Sequence, residues 1–174
     1  MYYINQLKKL FGVCLFFAAF IMAANNDLGA QVKQQLNFDR ITAEKGLPST
    51  SVHVIIQDSQ GLIWIGTENG LCFYDGYNFK SFQNDPNDST SITDNWILSL
   101  LEDREGNIWI GTHSGGINKF NKNTGNFSNY KVTTDNLKSL KNNRVWTIFE
   151  NNDGTLFFGT SGGLNIFSKD KKSY

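Results

Sequence analysis

Cysteine, proline, histidine and charge are all scarce in this sequence. Its 174 residues hold two Cys, two Pro and two His, and Asp, Glu, Lys and Arg together make up 18%. Cys14 sits in an N-terminal apolar run and Cys72 lies far downstream. If that run is removed, the one remaining thiol cannot close an internal disulfide. Cys72 then reads as a small apolar strand residue, not a reactive thiol. His53 and His113 have no Cys or His at ligand spacing, so no metal and no cofactor is expected. The formal net charge is zero, which leaves neither a basic footprint for nucleic acid nor a long-range pull toward an anionic membrane. No apolar run reaches the roughly 20 residues of a bilayer span.

The first 30 residues carry the pattern of an export signal. Lys8 and Lys9 precede an uncharged run of 15 apolar or small residues, Leu10 to Ala24. Leu28-Gly29-Ala30 offers a cleavage site before Gln31. We expect a signal-peptide helix over 1–30, with an uncleaved anchor as the alternative; on either reading the remainder is exported. Cys14 lies inside the apolar run and not just after it, which argues against a lipid-modified cysteine.

Glycine and aromatics are plentiful: sixteen Gly and fourteen Phe, with aromatics at 14%. They fall into a repeat. Gly61-Leu-Ile-Trp64-Ile-Gly-Thr67, Gly106-Asn-Ile-Trp109-Ile-Gly-Thr112 and Gly154-Thr-Leu-Phe157-Phe-Gly-Thr160 recur at a spacing of about 45 residues, which marks stacked units. Each unit shows the same segments. A strand (52–58, 97–103, 145–151) has apolar residues on both faces, as expected for a strand covered on two sides. An Asp- or Asn-to-Gly turn leads into the repeated strand. A second Gly turn leads to a third strand (71–74, 117–120, 164–167), and a short aromatic fourth follows at 79–82 and 127–130. Residues 37–42 have the fourth-strand pattern ahead of the first unit, and Tyr174 aligns with the first residue of another fourth strand.

Four antiparallel strands per unit of this length is the arithmetic of a β-propeller blade. The fold expected is all-β: a partial propeller of about three blades, from a ring that in propellers typically closes with four to eight. It comprises an outer strand at 37–42, blades at 51–83 and 96–131, and an incomplete blade at 144–174. Three blades cannot close a ring, so the sequence is read as the beginning of a longer protein. Trp64, Trp109 and Phe157 read as core between blades.

The pattern Asp-x-x-Gly-x-Ile-Trp-Ile-Gly-Thr followed by Gly and an aromatic resembles the two-component regulator propeller repeat. In the second unit Asp103, Gly106, Ile108 to Thr112, Gly116 and Phe120 carry the likeness. The first unit matches equally well, and the third departs at Asn151, Leu156 and Phe157. It is not the Trp-Asp dipeptide repeat, because no Trp is followed by Asp. The resemblance implies the sensor region, on the periplasmic side of the inner membrane, of a hybrid two-component system of the Bacteroidetes type. Such a protein would carry further blades that complete seven-bladed propellers, a membrane span and a cytoplasmic histidine kinase, act as a homodimer, and sense oligosaccharides. Its partners would be the oligosaccharide and the remaining blades of its own chain. This segment would bind no nucleic acid and would touch the membrane only through the signal or a downstream span.

In propellers the turn before the innermost strand and the turn between the second and third strands share one face. Those sites hold Ser51, Trp96 and Arg144, then His53, Leu98 and Trp146, then Glu68, His113 and Ser161. Trp96 or Trp146 either stacks on a sugar ring or packs between blades. Arg144, His113 and Glu68 either hydrogen-bond sugar hydroxyls or are solvated turn residues. No catalytic residue is assigned. The alternatives to a sensor are an exported propeller enzyme of lyase or hydrolase type, and a protein-binding scaffold. An enzyme needs a convergent acid–base cluster, and nothing in the sequence brings His53, His113 and Glu68 together.

Overall fold

The computed structural model describes residues 36–132 and 139–167. The signal segment and the start of a further strand at Tyr174 lie outside the described residues. The chain divides into two compact units, Met1–Asp39 and Arg40–Tyr174, and all described strands belong to the second. No helix among the described residues is long and apolar enough to cross a membrane.

The second unit opens with a single 3-10 turn, Ala43–Lys45, and then builds three antiparallel sheets. The first contains β1 (Val52–Gln57), β2 (Ile63–Thr67), β3 (Gly70–Tyr74) and β4 (Phe79–Phe82). The second contains β5 (Ile97–Glu102), β6 (Ile108–Thr112), β7 (Ile117–Phe120) and β8 (Phe127–Tyr130). The third contains β9 (Val145–Glu150), β10 (Leu156–Thr160) and β11 (Gly163–Phe167). Strand order follows chain order in every sheet, and the innermost strands β1, β5 and β9 lie side by side. This is the expected all-β partial propeller, with two four-stranded blades and a third whose first three strands are described.

Each repeated residue has a physical job. The Trp64 indole N–H donates to Asp58 Oδ2 at 2.9 Å, and that of Trp109 donates to Asp103 Oδ2 at 2.8 Å; both pairs are buried. The same carboxylates accept backbone N–H bonds across their turns, from Gln60 and Leu62 in one case and Glu105 and Asn107 in the other. In the third blade Asn151 and Phe157 stand at these two positions, so the carboxylate and the indole donor are lost together.

The Gly before the repeated Thr answers a close approach. A Cβ on Gly66 would lie 2.6 Å from Ile97 Cγ2 of the next blade, and one on Gly111 would lie 2.8 Å from Val145 Cγ1. The Thr hydroxyls then donate to the carbonyls of Gly70, Gly116 and Gly163, closing the turn into the third strand.

Two apolar cores fill the spaces between sheets. Trp64, Leu71, Ile97, Leu100, Ile108, Ile110 and Phe120 form the first; Trp109, Ile117, Val145, Ile148, Leu156 and Phe158 form the second. The loop residue five positions before each innermost strand is also an apolar anchor. Ile92 is fully buried in the first core, Leu140 packs on the second, and Leu47 covers Cys72 and Ile65 on the far side of the first sheet.

Two features differ from expectation among the described residues. Only β5 is largely covered on both faces; in β1 Ile55 is 60% exposed and in β9 Phe149 is 59% exposed. The middle blade alone has a described neighbour on each side, and burial on two faces requires two neighbours. Residues 37–42 form no strand. A fourth-strand sequence enters a ladder only at a third strand's free edge, and β3 and β7 are already paired with β4 and β8.

Candidate functional site

The loop before the innermost strand and the loop between the second and third strands meet at one end of each sheet. Glu68 N–H donates to Ser51 O at 3.2 Å, His113 N–H to Trp96 O at 2.9 Å, and Ser161 N–H to Arg144 O at 3.1 Å. These bonds place equivalent residues of successive blades in a row, as the sequence predicted for that face.

In the middle blade the Trp96 indole stacks on the His113 imidazole, with centroids 4.4 Å apart and planes at 10°. Trp96 also reaches back to the first blade, where its Nε1–H donates to His53 Nε2 at 3.0 Å. That bond requires His53 to be neutral at Nε2, with any ring proton on Nδ1. The same Nε2 lies 3.5 Å from Glu68 Oε1. One nitrogen therefore faces both a donor and a carboxylate.

Asp94 holds this arrangement. Its Oδ1 accepts from the Trp96 N–H at 3.1 Å, and its Oδ2 accepts both N–H and Oγ–H of Ser114 at 2.7 Å. Burial works to raise the Asp94 pKa, but the Ser114 and backbone hydrogen bonds outweigh it and hold the carboxylate below its usual range. Asp94 thus fixes the loops carrying both Trp96 and His113.

In the third blade the Arg144 guanidinium lies 5.6 Å from the Trp146 ring centroid, and the Trp146 Nε1–H donates to Ser161 Oγ at 3.0 Å. Trp96 is 38% and Trp146 53% exposed. An open groove of about 590 Å³ runs between the second and third blades, with His113 and Ser114 on one wall and Lys141 to Arg144 and Ser161 on the other.

Of the five predicted site residues, His113 and Arg144 line the groove; Trp96 stacks on His113, and Trp146 lies under the Arg144 guanidinium. Glu68 lies apart from the groove, beside His53. Nothing in the sequence brings His53, His113 and Glu68 together; the fold links them through Trp96. Asp94 was missed, though a signal existed. It stands two residues before Trp96, where Ser49 and Asn142 stand in the other units, and all three side chains accept from the N–H two residues on.

Among the described residues no group of three or more His, Cys, Asp or Glu is placed to hold a metal ion. At the opposite end of the sheets a cleft of about 360 Å³ lies among turn residues such as Ser59, Arg104 and Lys122. There the Lys122 ammonium bridges Asp58 and Glu102 at 2.8 Å each.

Residues 46–69, 91–114 and 139–162 match the two component regulator propeller family. An 85-residue stretch is 40% identical to a protein named histidine kinase P4 from Formosa agariphila, covering 48% of this chain and 6% of that protein. Among solved structures, the extracellular domain of BT3049 from B. thetaiotaomicron, described as a hybrid two component system, is 30% identical with a TM-score of 0.73. That likeness covers 78% of this chain and 19% of the other. The extracellular domain of BT4673 from the same organism is 23% identical over 78% of this chain and 23% of its own, with a TM-score of 0.41. The chain therefore spans a small part of the length of each relative.

Proposed function

We propose that this chain, which carries three two-component regulator propeller repeats in a partial β-propeller, is part of the ligand-sensing region of a transmembrane two-component regulator, and that its ligand is an oligosaccharide. On this reading the segment is exported and lies on the periplasmic side of the inner membrane. The signal passes through a downstream span to a histidine kinase, and the full-length protein works as a homodimer.

The observation that carries the ligand class is the pair of exposed indoles, Trp96 and Trp146, on one end of the propeller. Both rings are fixed, by His53 and His113 in one case and by Ser161 and Arg144 in the other. A fixed, exposed indole offers a flat apolar face for a sugar ring and loses little freedom on binding. Hydrogen-bonding groups around it select among hydroxyls.

The test is titration of the full chain with a panel of oligosaccharides, read by tryptophan emission and by calorimetry. Saturable binding without turnover, lost in Trp96→Ala, is the expected result. Turnover of a bound saccharide would replace the sensor reading with the enzyme one. Absence of saccharide binding alongside a stable protein complex would replace it with the scaffold.

A further inference from the structure

We infer that the groove between the second and third blades takes an anionic saccharide unit, one bearing a carboxylate or a sulfate. This rests on the oligosaccharide reading above and adds the charge of the ligand and the place where that charge is held.

The argument is an inventory of what the groove has left to offer. Asn142 Oδ1 accepts from the Arg144 N–H at 2.8 Å, and Asn143 Oδ1 accepts from the Val132 N–H at 2.8 Å. Both amide oxygens are engaged in shaping the loop, so each amide has its NH2 donors to give. Ser161 Oγ already accepts from the Trp146 indole, which leaves its hydroxyl hydrogen as a donor. Arg144 carries donors only.

Charge points the same way. No Asp or Glu is among the described residues lining the groove. The nearby carboxylate of Asp94 is spent on Trp96 and Ser114. Arg144 makes no ion pair among the described residues. Its guanidinium instead lies over the Trp146 ring, a placement that holds the planar fork for a two-point contact with a carboxylate or sulfate. Side chains that offer mainly donors among the described residues suit a ligand of acceptors. At about 590 Å³ the groove is also within the usual range for small-molecule sites.

The adjoining aromatic pair fits this division of labour. Trp146, and Trp96 stacked on His113, offer apolar faces to sugar rings of any charge. Arg144 then discriminates the acidic unit from a neutral one.

The experiment titrates the full chain with three probes: an oligogalacturonate, a sulfated glycosaminoglycan oligosaccharide and a neutral cello-oligosaccharide. We expect one of the two anionic probes to bind, more weakly as salt rises. Arg144→Gln should weaken that binding about tenfold or more, with circular dichroism unchanged. Which anionic probe binds separates carboxylate from sulfate. Binding of the neutral probe alone, insensitive to salt and to Arg144→Gln, overturns the anionic groove and leaves the sensor reading standing. Binding of none of the three, with saturable binding elsewhere in a wider saccharide panel, likewise overturns the groove alone. No saccharide binding of any kind overturns both.

Discussion

The Trp109 indole N–H points at a buried carboxylate oxygen of Asp103, 2.8 Å away and six residues back in sequence. Trp64 and Asp58 repeat the arrangement in the first blade. In the third blade both partners change together, to Asn151 and Phe157, which indicates that neither position is set by packing alone. Trp109→Phe leaves Asp103 without its indole donor and should cost about 1–3 kcal/mol. Asp103→Asn should cost a similar amount. In the double variant the third blade's own solution is installed, and the loss should fall short of the sum by about 0.5–3 kcal/mol. Denaturant unfolding of the four proteins in the cycle measures this, and strict additivity would sink the pairing.

A second cluster governs acid stability. Lys122 Nζ lies 2.8 Å from both Asp58 Oδ2 and Glu102 Oε1, and Glu102 also accepts the N–H and hydroxyl of Ser59. Burial works to raise the pKa values of Asp58 and Glu102, but the bonds from Lys122 and neighbouring donors outweigh it and leave both lowered. A carboxylate with a lowered folded pKa adds stability that is present above its unfolded value and lost as pH falls through the folded one. For Lys122 burial works to lower the pKa, but the two carboxylates outweigh it and leave it raised, so its share is lost only at pH above 10.5. Thermal midpoints should therefore drop as pH falls below about 4. Lys122→Gln should lower the midpoint at neutral pH and flatten the acid slope. An unchanged slope would remove the cluster from the account.

The sequence displayed the blades but not the contacts between them. Strand limits were legible to within a residue at 79–82, 117–120 and 127–130, because period, Gly turns and aromatic strands agree locally. Asp58 and Asp103 were legible as turn formers, but not as indole acceptors. Glu102 and Lys122 read as a strand end and a variable turn. Their partners lie up to 64 residues away, and no local pattern carries that distance. Leu47, Ile92 and Leu140 sit at equivalent loop positions whose flanking residues look like ordinary turn chemistry. Their burial depends on the neighbouring sheet. At the candidate site the indoles and Arg144 were visible as variable residues among constant ones. The His53 link was not, since it needs the next blade to bring Trp96 within reach.

Glycine at the repeated Ile-Gly-Thr position is a packing requirement, not a conformational one. Gly111 sits mid-strand, and its missing Cβ makes room for Val145 of the third blade and for Ser99. Gly125 has φ +75 with open space around it, so only backbone strain opposes a side chain there. Gly111→Ala should destabilise by about 1–3 kcal/mol, and Gly125→Ala by about 1 kcal/mol. Adding Val145→Ala should recover part of the first loss and none of the second. Recovery in neither, read from urea midpoints, would mean that Val145 does not lie close enough to Gly111 of β6 to obstruct a Cβ there.

Cys72 tests the loop that covers the first sheet. Its counterparts Asn118 and Asn165 hold their loops by hydrogen bonds, Asn118 to Thr93 and Asn165 to the Lys141 N–H. A thiol cannot do the same, and Leu47 covers it by apolar contact instead. Burial pushes the Cys72 thiol up to about 11, so thiolate is rare at neutral pH and no reagent reaches it directly. In a Cys14→Ser background an aromatic disulfide reagent at pH 8 should label Cys72 only as fast as the blade opens. Leu47→Ala should speed that labelling by uncovering Cys72, with the unfolding midpoint falling by no more than a cavity of that size requires, about 2–5 kcal/mol. Cys72→Asn, in contrast, would need a partner that the first blade's loop lacks. Immediate labelling of the unsubstituted site would mean the 46–48 loop does not cover the sheet in solution.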